Sequence, residues 1–126
     1  MNPAPAQPVV LVVDADSAVR SALKFSLEVE GFAVHEFRDA AALLSEHDLP
    51  LNSCLVAESN LPDMSGLALV AELRARRRAV PAILTSTHPN DQLKRRAAAA
   101  GVKVIEKPLL NEDLFEAIRG ALPHSH

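Results

Sequence analysis

Four short apolar runs in this chain are each followed, or closed, by a residue able to do chemistry. Val9 to Val13 leads into Asp14, Cys54 to Ala57 into Glu58, Ala82 to Leu84 into Thr85, and Val102 to Ile105 is followed closely by Lys107. Two carboxylates, a hydroxyl and an ammonium converging on one crevice could hold a metal ion or a phosphoryl group. Taken singly, each has a plainer role: carboxylates after strands cap helices, Thr is common in strands, and Lys is usually solvated. Asp16, two residues beyond Asp14, illustrates the point, because it stands where a helix beginning at Ser17 needs an N-cap.

The apolar runs are continuous and rich in β-branched residues, as expected for strands buried on both faces. A weaker segment, Phe32 to Phe37, carries His35 and Glu36 and suits an edge strand. Helical spacing alternates with the strands. Val19, Leu23, Leu27 and Glu30 mark a first helix that Gly31 stops, and a short second one spans Asp39 to Ser45. Leu69, Val70 and Leu73 mark a third, with Ser65 as cap, and Leu93, Ala97 and Ala100 a fourth between Asn90 and Gly101. Leu114, Ile118 and Leu122 mark a fifth, with Glu112 and Asp113 complementing the dipole of its first turn. Five βα units call for an α/β fold: a doubly wound, five-stranded parallel sheet in the order 2-1-3-4-5 with right-handed crossovers. Such sheets bind ligands beyond the carboxyl ends of the strands, at the switch between strands one and three. Asp14 and Glu58 flank that switch.

The 126 residues suit one domain, placed at 9–122 between tails at 1–8 and 123–126. Apolar residues make up 48% of the chain, enough for a sizeable core. No apolar stretch approaches the roughly 20 residues of a membrane helix, and the Pro-rich start lacks the pattern of a secretory signal. The lone Cys54 reads as a small core residue of a reducing compartment, so a cytoplasmic protein without membrane contact is expected. With no Trp or Tyr, four Phe and a net charge of -3, a nucleic-acid partner is not expected. Arg76, Arg77 and Arg78 are read as a solvated basic helix end, with an acidic partner or nucleic acid as the alternative. His35, His47 and His88 are scattered, and His124 and His126 are too thin a signal, so no metal is assigned through histidine.

Val12-Val13-Asp14-Ala15-Asp16, Leu61-Pro62-Asp63-Met64-Ser65-Gly66, Pro81-Ala82-Ile83-Leu84-Thr85 and Lys107-Pro108 resemble the successive signatures of response-regulator receiver domains. The Pro-Asp-Met-Ser-Gly stretch is similar to receivers of the nitrogen-fixation-regulator type. The resemblance covers roughly residues 9–122 and implies a flavodoxin-like fold and a signalling module of two-component systems, not an enzyme. It also implies that the third-strand carboxylate accepts a phosphoryl group, which places Glu58 at the acceptor position. By the same token Asn60 supplies a backbone carbonyl to Mg²⁺, Thr85 and Lys107 sense the phosphoryl group, and Lys107–Pro108 is cis.

Three departures from the pattern set the functional expectation. Glu58 replaces Asp, standing one methylene, roughly 1.5 Å, further from the backbone. Ala15 replaces an acidic metal ligand, leaving Asp14 and Asp16 as the acidic pocket, so Mg²⁺ binding is expected to be weak or absent and no cofactor is assigned. Val104 stands where the resemblance implies an aromatic relay. The expected function is therefore a stand-alone, phosphorylation-independent protein-interaction module in which a Glu58–Lys107 contact fixes one conformation. The alternative is a receiver that still accepts a phosphoryl group with altered geometry; a small-molecule-binding protein of this fold is the weaker third reading. The implied partner is a histidine kinase or downstream effector. A homodimer is expected through the face of the fourth helix, fifth strand and fifth helix, with Lys94, Arg95 and Arg96 at its interface and Ala97 to Ala100 as a small-residue packing surface.

Overall fold

The computed structural model describes residues 7–107 and 111–122. Five strands alternate with five helices: β1 (Val9–Val13), α1 (Ser17–Val29), β2 (Ala33–Phe37), α2 (Ala40–Leu44), β3 (Ser53–Glu58), α3 (Gly66–Ala75), β4 (Ala82–Ser86), α4 (Asp91–Ala99), β5 (Lys103–Glu106) and α5 (Asn111–Ala121). All strand pairs are parallel, and the order is β2-β1-β3-β4-β5. This is the doubly wound sheet expected from the sequence, with β2 at an edge. Residues 1–6 and 123–126 of the two expected tails lie outside the described residues. Gln7 and Pro8 are described: Gln7 Nε2 donates to the Gly31 carbonyl at 2.8 Å, and Ala33 N–H donates to the Pro8 carbonyl at 2.9 Å.

Alternation along the buried strands sends their side chains into two apolar layers. Val9, Leu11, Val13, Leu55, Ala57 and Leu84 pack with Leu43, Leu69, Leu73 and Ala97, from α2, α3 and α4. Val10, Val12, Cys54, Val56 and Ile83 pack on the other face with Leu23, Leu27, Leu114 and Ile118, from α1 and α5. Cys54 is fully buried, and burial pushes its thiol up to about 12, which makes it an inert core residue.

Local chemistry sets the helix ends. Asp16 accepts from Ala18 N–H at 2.9 Å and caps α1, while Gly31 follows that helix at φ +96°. Ser65 caps α3 through Ala68 N–H at 3.0 Å, and Asn90 caps α4 through Leu93 N–H at 2.8 Å. One expectation needs correction. Ala97 is no docking surface: it is fully buried against the sheet and Ala100 is half-buried, because they form the inward stripe of α4. On α1, Phe25 and Val29 are 72% and 70% exposed, one turn apart and outside the core.

Candidate functional site

Strand register brings the sequence-predicted site residues to one rim. Val13 pairs with Ala57 and Glu58 with Thr85, so Asp14, just past β1, lies beside Glu58, the last residue of β3. Thr85 is inside β4 and buried, one residue before the strand ends. Lys107 follows β5, and its N–H donates to the Ser86 carbonyl at 2.7 Å, which fixes its backbone against β4.

Asp14 is the hub. Its side chain is only 3% exposed. Oδ1 accepts from Asp16 N–H at 2.9 Å, and Oδ2 accepts from Lys107 Nζ at 2.8 Å. The Asp14 carbonyl accepts from Arg20 Nη1 at 2.6 Å, tying the β1 end to α1. Lys107 Nζ is also 3.5 Å from Glu58 Oε2. The expected Glu58–Lys107 contact exists, but it is the longer of the two; the ammonium is held chiefly by Asp14, because the buried carboxylate has the greater need of a charge partner. No hydrogen bond joins the Thr85 hydroxyl to Glu58 among the described residues.

Glu58 feels this arrangement electrostatically. Partial burial raises its pKa above the ordinary carboxylate value, the Asp14 carboxylate raises it further, and Lys107 pulls it partly back. The Glu58 carboxyl therefore takes up a proton more readily than a solvated Glu. The oxygen donors around it are Asp14, already bonded to Lys107, and Glu58 itself. Ala15 is exposed and offers no side-chain ligand, and among the described residues no cluster of three Asp, Glu, His or Cys side chains is suited to a metal ion.

The connection from β3 to α3 makes a tight return. Ser59 N–H donates to the Thr85 carbonyl at 2.8 Å, Gly66 N–H donates to the Ser59 carbonyl at 2.9 Å, and Asn60 bridges to Ser65. Gly66 is required by close approach. A Cβ there would stand 2.7 Å from the Glu58 carbonyl oxygen and 2.7 Å from a Leu84 methyl. Asp63 was not singled out by its chemistry in the sequence, yet it accepts from Ala40 N–H at 3.1 Å and Ala41 N–H at 2.9 Å, serving the N-terminus of α2 from a distant loop. These bonds, the one from Ala41 first, hold its carboxyl below the usual range. Its only sequence signal is its place in the Leu61 to Gly66 signature.

The remaining expected positions divide. Val104 is half-buried, pairs with Leu84 and packs on the core as an ordinary strand residue. Asn60 is exposed beside the β3 end, and Asp16 is occupied as a cap. Lys94, Arg95 and Arg96 are exposed on α4. Pro108 lies outside the described residues, so the cis expectation does too. Arg76 binds Glu72 at 2.8 Å and the Leu44 carbonyl at 3.3 Å, and Arg78 donates to the His47 carbonyl, so two of the three arginines tie α3 to the end of α2. No helix of the described residues is long and apolar enough to cross a membrane.

Comparison with known proteins agrees with this geometry. A family model described as the response regulator receiver domain matches residues 10–119. The transcriptional regulatory protein FixJ of Azorhizobium caulinodans is 36% identical over 118 residues, 92% of this chain and 56% of that protein. The response regulator protein TodT of Pseudomonas putida is 32% identical over 115 residues, 90% of this chain and 51% of that protein. This chain thus spans about half the length of the curated relatives it matches. Among solved structures, FixJ-N superposes with a TM-score of 0.83 at 33% identity, covering 92% of this chain and 94% of that one. The chemotaxis protein CheY4 of Vibrio cholerae, 23% identical with a TM-score of 0.82 over 93% of this chain and 100% of that one, shares the fold.

Proposed function

This chain belongs to the response regulator receiver domain family, and on that premise we propose that it works as a phosphorylation-independent interaction module in two-component signalling. The observation that carries the reading is the placement of Lys107 Nζ, 2.8 Å from Asp14 and 3.5 Å from Glu58. The cation that a phosphoryl group would recruit already has both carboxylates as partners. Glu58 reaches one methylene further than the Asp of the family pattern and takes up room that an incoming phosphoryl group needs; transfer of that group depends on close positioning and on neutralised charge. Mg²⁺ binding is weak or absent in this reading. Octahedral oxygen coordination needs more than Asp14 and Glu58 supply with Ala15 between Asp14 and Asp16, and their shared ammonium opposes a divalent cation.

The partner is a kinase or effector protein, and the domain acts by presenting a fixed surface to it. The face of α4, β5 and α5 is the proposed interface for a partner or a second copy. Lys94 and Arg95 are exposed there, and Ala98 and Ala99, in place of the buried Ala97, provide its small apolar positions. The test is an amide NMR titration with Mg²⁺ followed by beryllofluoride, a mimic of the phosphoryl group. Unchanged resonances at Asp14, Glu58, Thr85 and Lys107 support the module; saturable shifts there show a working phosphoryl pocket and favour the alternative, acceptance with altered geometry.

A further inference from the structure

The outer side of α1 carries a second apolar pattern, apart from the one that packs on the sheet. Leu23 and Leu27 are the buried residues of this helix. Ala18, Ala22, Phe25 and Val29 are all exposed, and their spacing of four, three and four residues draws one straight stripe along it. Such spacing is the seam through which two helices pack. The stripe is graded in size, with two alanines in its first half and Phe25 and Val29 in its second. The charges on either flank are turned aside. Glu36 of β2 takes Lys24 at 3.8 Å and Arg20 at 4.0 Å, and Arg119 of α5 binds Glu30 at 2.7 Å. Helical rotation leaves Ser21 and Glu28 bordering one side of the stripe and Ser26 the other. α1 packs with α5 on the layer away from α2, α3 and α4, so this surface is separate from α4.

We propose that this stripe is the contact for a second copy of the chain, with the two α1 helices packed antiparallel about a two-fold axis. That pairing lays Phe25 and Val29 of one copy over Ala22 and Ala18 of the other, bulky on small, and the symmetry repeats the fit. A parallel pair would set Phe25 on Phe25 and leave the alanines facing across a gap. Antiparallel pairing also opposes the two helix dipoles favourably. It sets Glu28 of one copy beside Ser21 of the other, a carboxylate beside a hydroxyl donor. Two copies of a chain with a net charge of -3 thereby meet without confronting like charges. Four side chains from each copy cover well under the roughly 800 Å² per partner of a standard interface, so the dimer is weak and follows concentration. The contact uses neither Glu58 nor α4, so its failure and that of the proposed function are distinguishable.

The test is sedimentation equilibrium of the full chain from about 10 μM to about 1 mM, with amide NMR spectra over the same series. A mass rising from monomer toward dimer is expected, with concentration-dependent shifts along Ala18 to Val29. Phe25→Ser, at an exposed position outside the core, is expected to weaken the dimer about tenfold or more, since aromatic anchors dominate interfaces and each dimer loses two. Ala22→Glu places a carboxylate under Phe25 of the other copy and is expected to weaken it likewise. Lys94→Glu, on α4, is expected to leave it unchanged. A mass that stays monomeric to about 1 mM overturns the proposal and leaves the stripe to a different protein. A dimer that Phe25→Ser leaves unaltered overturns it too, and one lost in Lys94→Glu but kept in Phe25→Ser lies on the α4 face instead.

Discussion

Replacing Lys107 with Met keeps the aliphatic stem and removes the ammonium, and it is expected to destabilise the fold by about 3 kcal/mol at neutral pH. The ammonium lies 2.8 Å from Asp14 Oδ2 and 3.5 Å from Glu58 Oε2, and its own side chain is 16% exposed. At an effective dielectric constant of roughly 20, these separations correspond to gross attractions of about 6 and about 5 kcal/mol. Desolvation of three charged groups offsets much of that. The net cost therefore falls at the lower end of the roughly 3–5 kcal/mol lost when one partner of a buried pair is removed. Burial and the Asp14 carboxylate raise the pKa of Glu58 above the ordinary value. As pH falls toward 4.5, the ordinary value for Glu, it takes up a proton and the repulsion left by the missing cation shrinks. Urea unfolding at a series of pH values measures this. For a denaturant slope of about 2 kcal/mol/M, the neutral-pH midpoint drops by about 1.5 M. A loss below about 1 kcal/mol, the range of an exposed ion pair, would refute the reasoning. So would a loss as large near pH 4.5 as at neutral pH.

Other expected outcomes follow from the same contacts. The pKa of Glu58 is higher folded than unfolded, so its contribution to stability is fully present below about pH 4.5 and is lost as pH rises through the folded value; Glu58→Gln should therefore gain on the wild type between pH 4.5 and neutral pH in unfolding titrations. Gly66→Ala places a Cβ against the Glu58 carbonyl and should cost about 2 kcal/mol in urea unfolding. Asp63→Ala removes the acceptor for Ala40 and Ala41 N–H, so hydrogen exchange of those two amides should accelerate while the sheet amides stay protected. In the wild type, that support is present above the ordinary Asp value of 3.8 and is lost as pH falls through the depressed folded value. On α1, Leu27→Ala should cost about 3 kcal/mol and Phe25→Ser less than about 0.5 kcal/mol, because Leu27 is fully buried and Phe25 is 72% exposed.

The sheet was legible because β1, β3 and β4 are nearly continuous apolar runs, and the helix starts because Asp16, Ser65 and Asn90 are strong caps. Strand order followed from the five βα units, and it alone brought Asp14, Glu58, Thr85 and Lys107 to one rim. What pattern could not supply was any fact decided by distance. Lys107 chooses Asp14 over Glu58 by less than an ångström across a separation of 93 residues, and no spacing rule encodes that choice. Ala97 to Ala100 read as one small-residue surface, yet helical rotation sends Ala97 inward and Ala98 and Ala99 outward. The cap that Asp63 lends to α2 crosses between two loops, and local signatures describe only the helix's own Asp39.

The central claim is that Glu58 takes no phosphoryl group while its pocket is satisfied by Lys107. The most direct measurement is intact-protein mass spectrometry after incubation with a small-molecule phosphodonor, with and without Mg²⁺. The account predicts an unmodified mass under both conditions, and an Mg²⁺-dependent phosphoryl adduct that disappears in Glu58→Gln would contradict it.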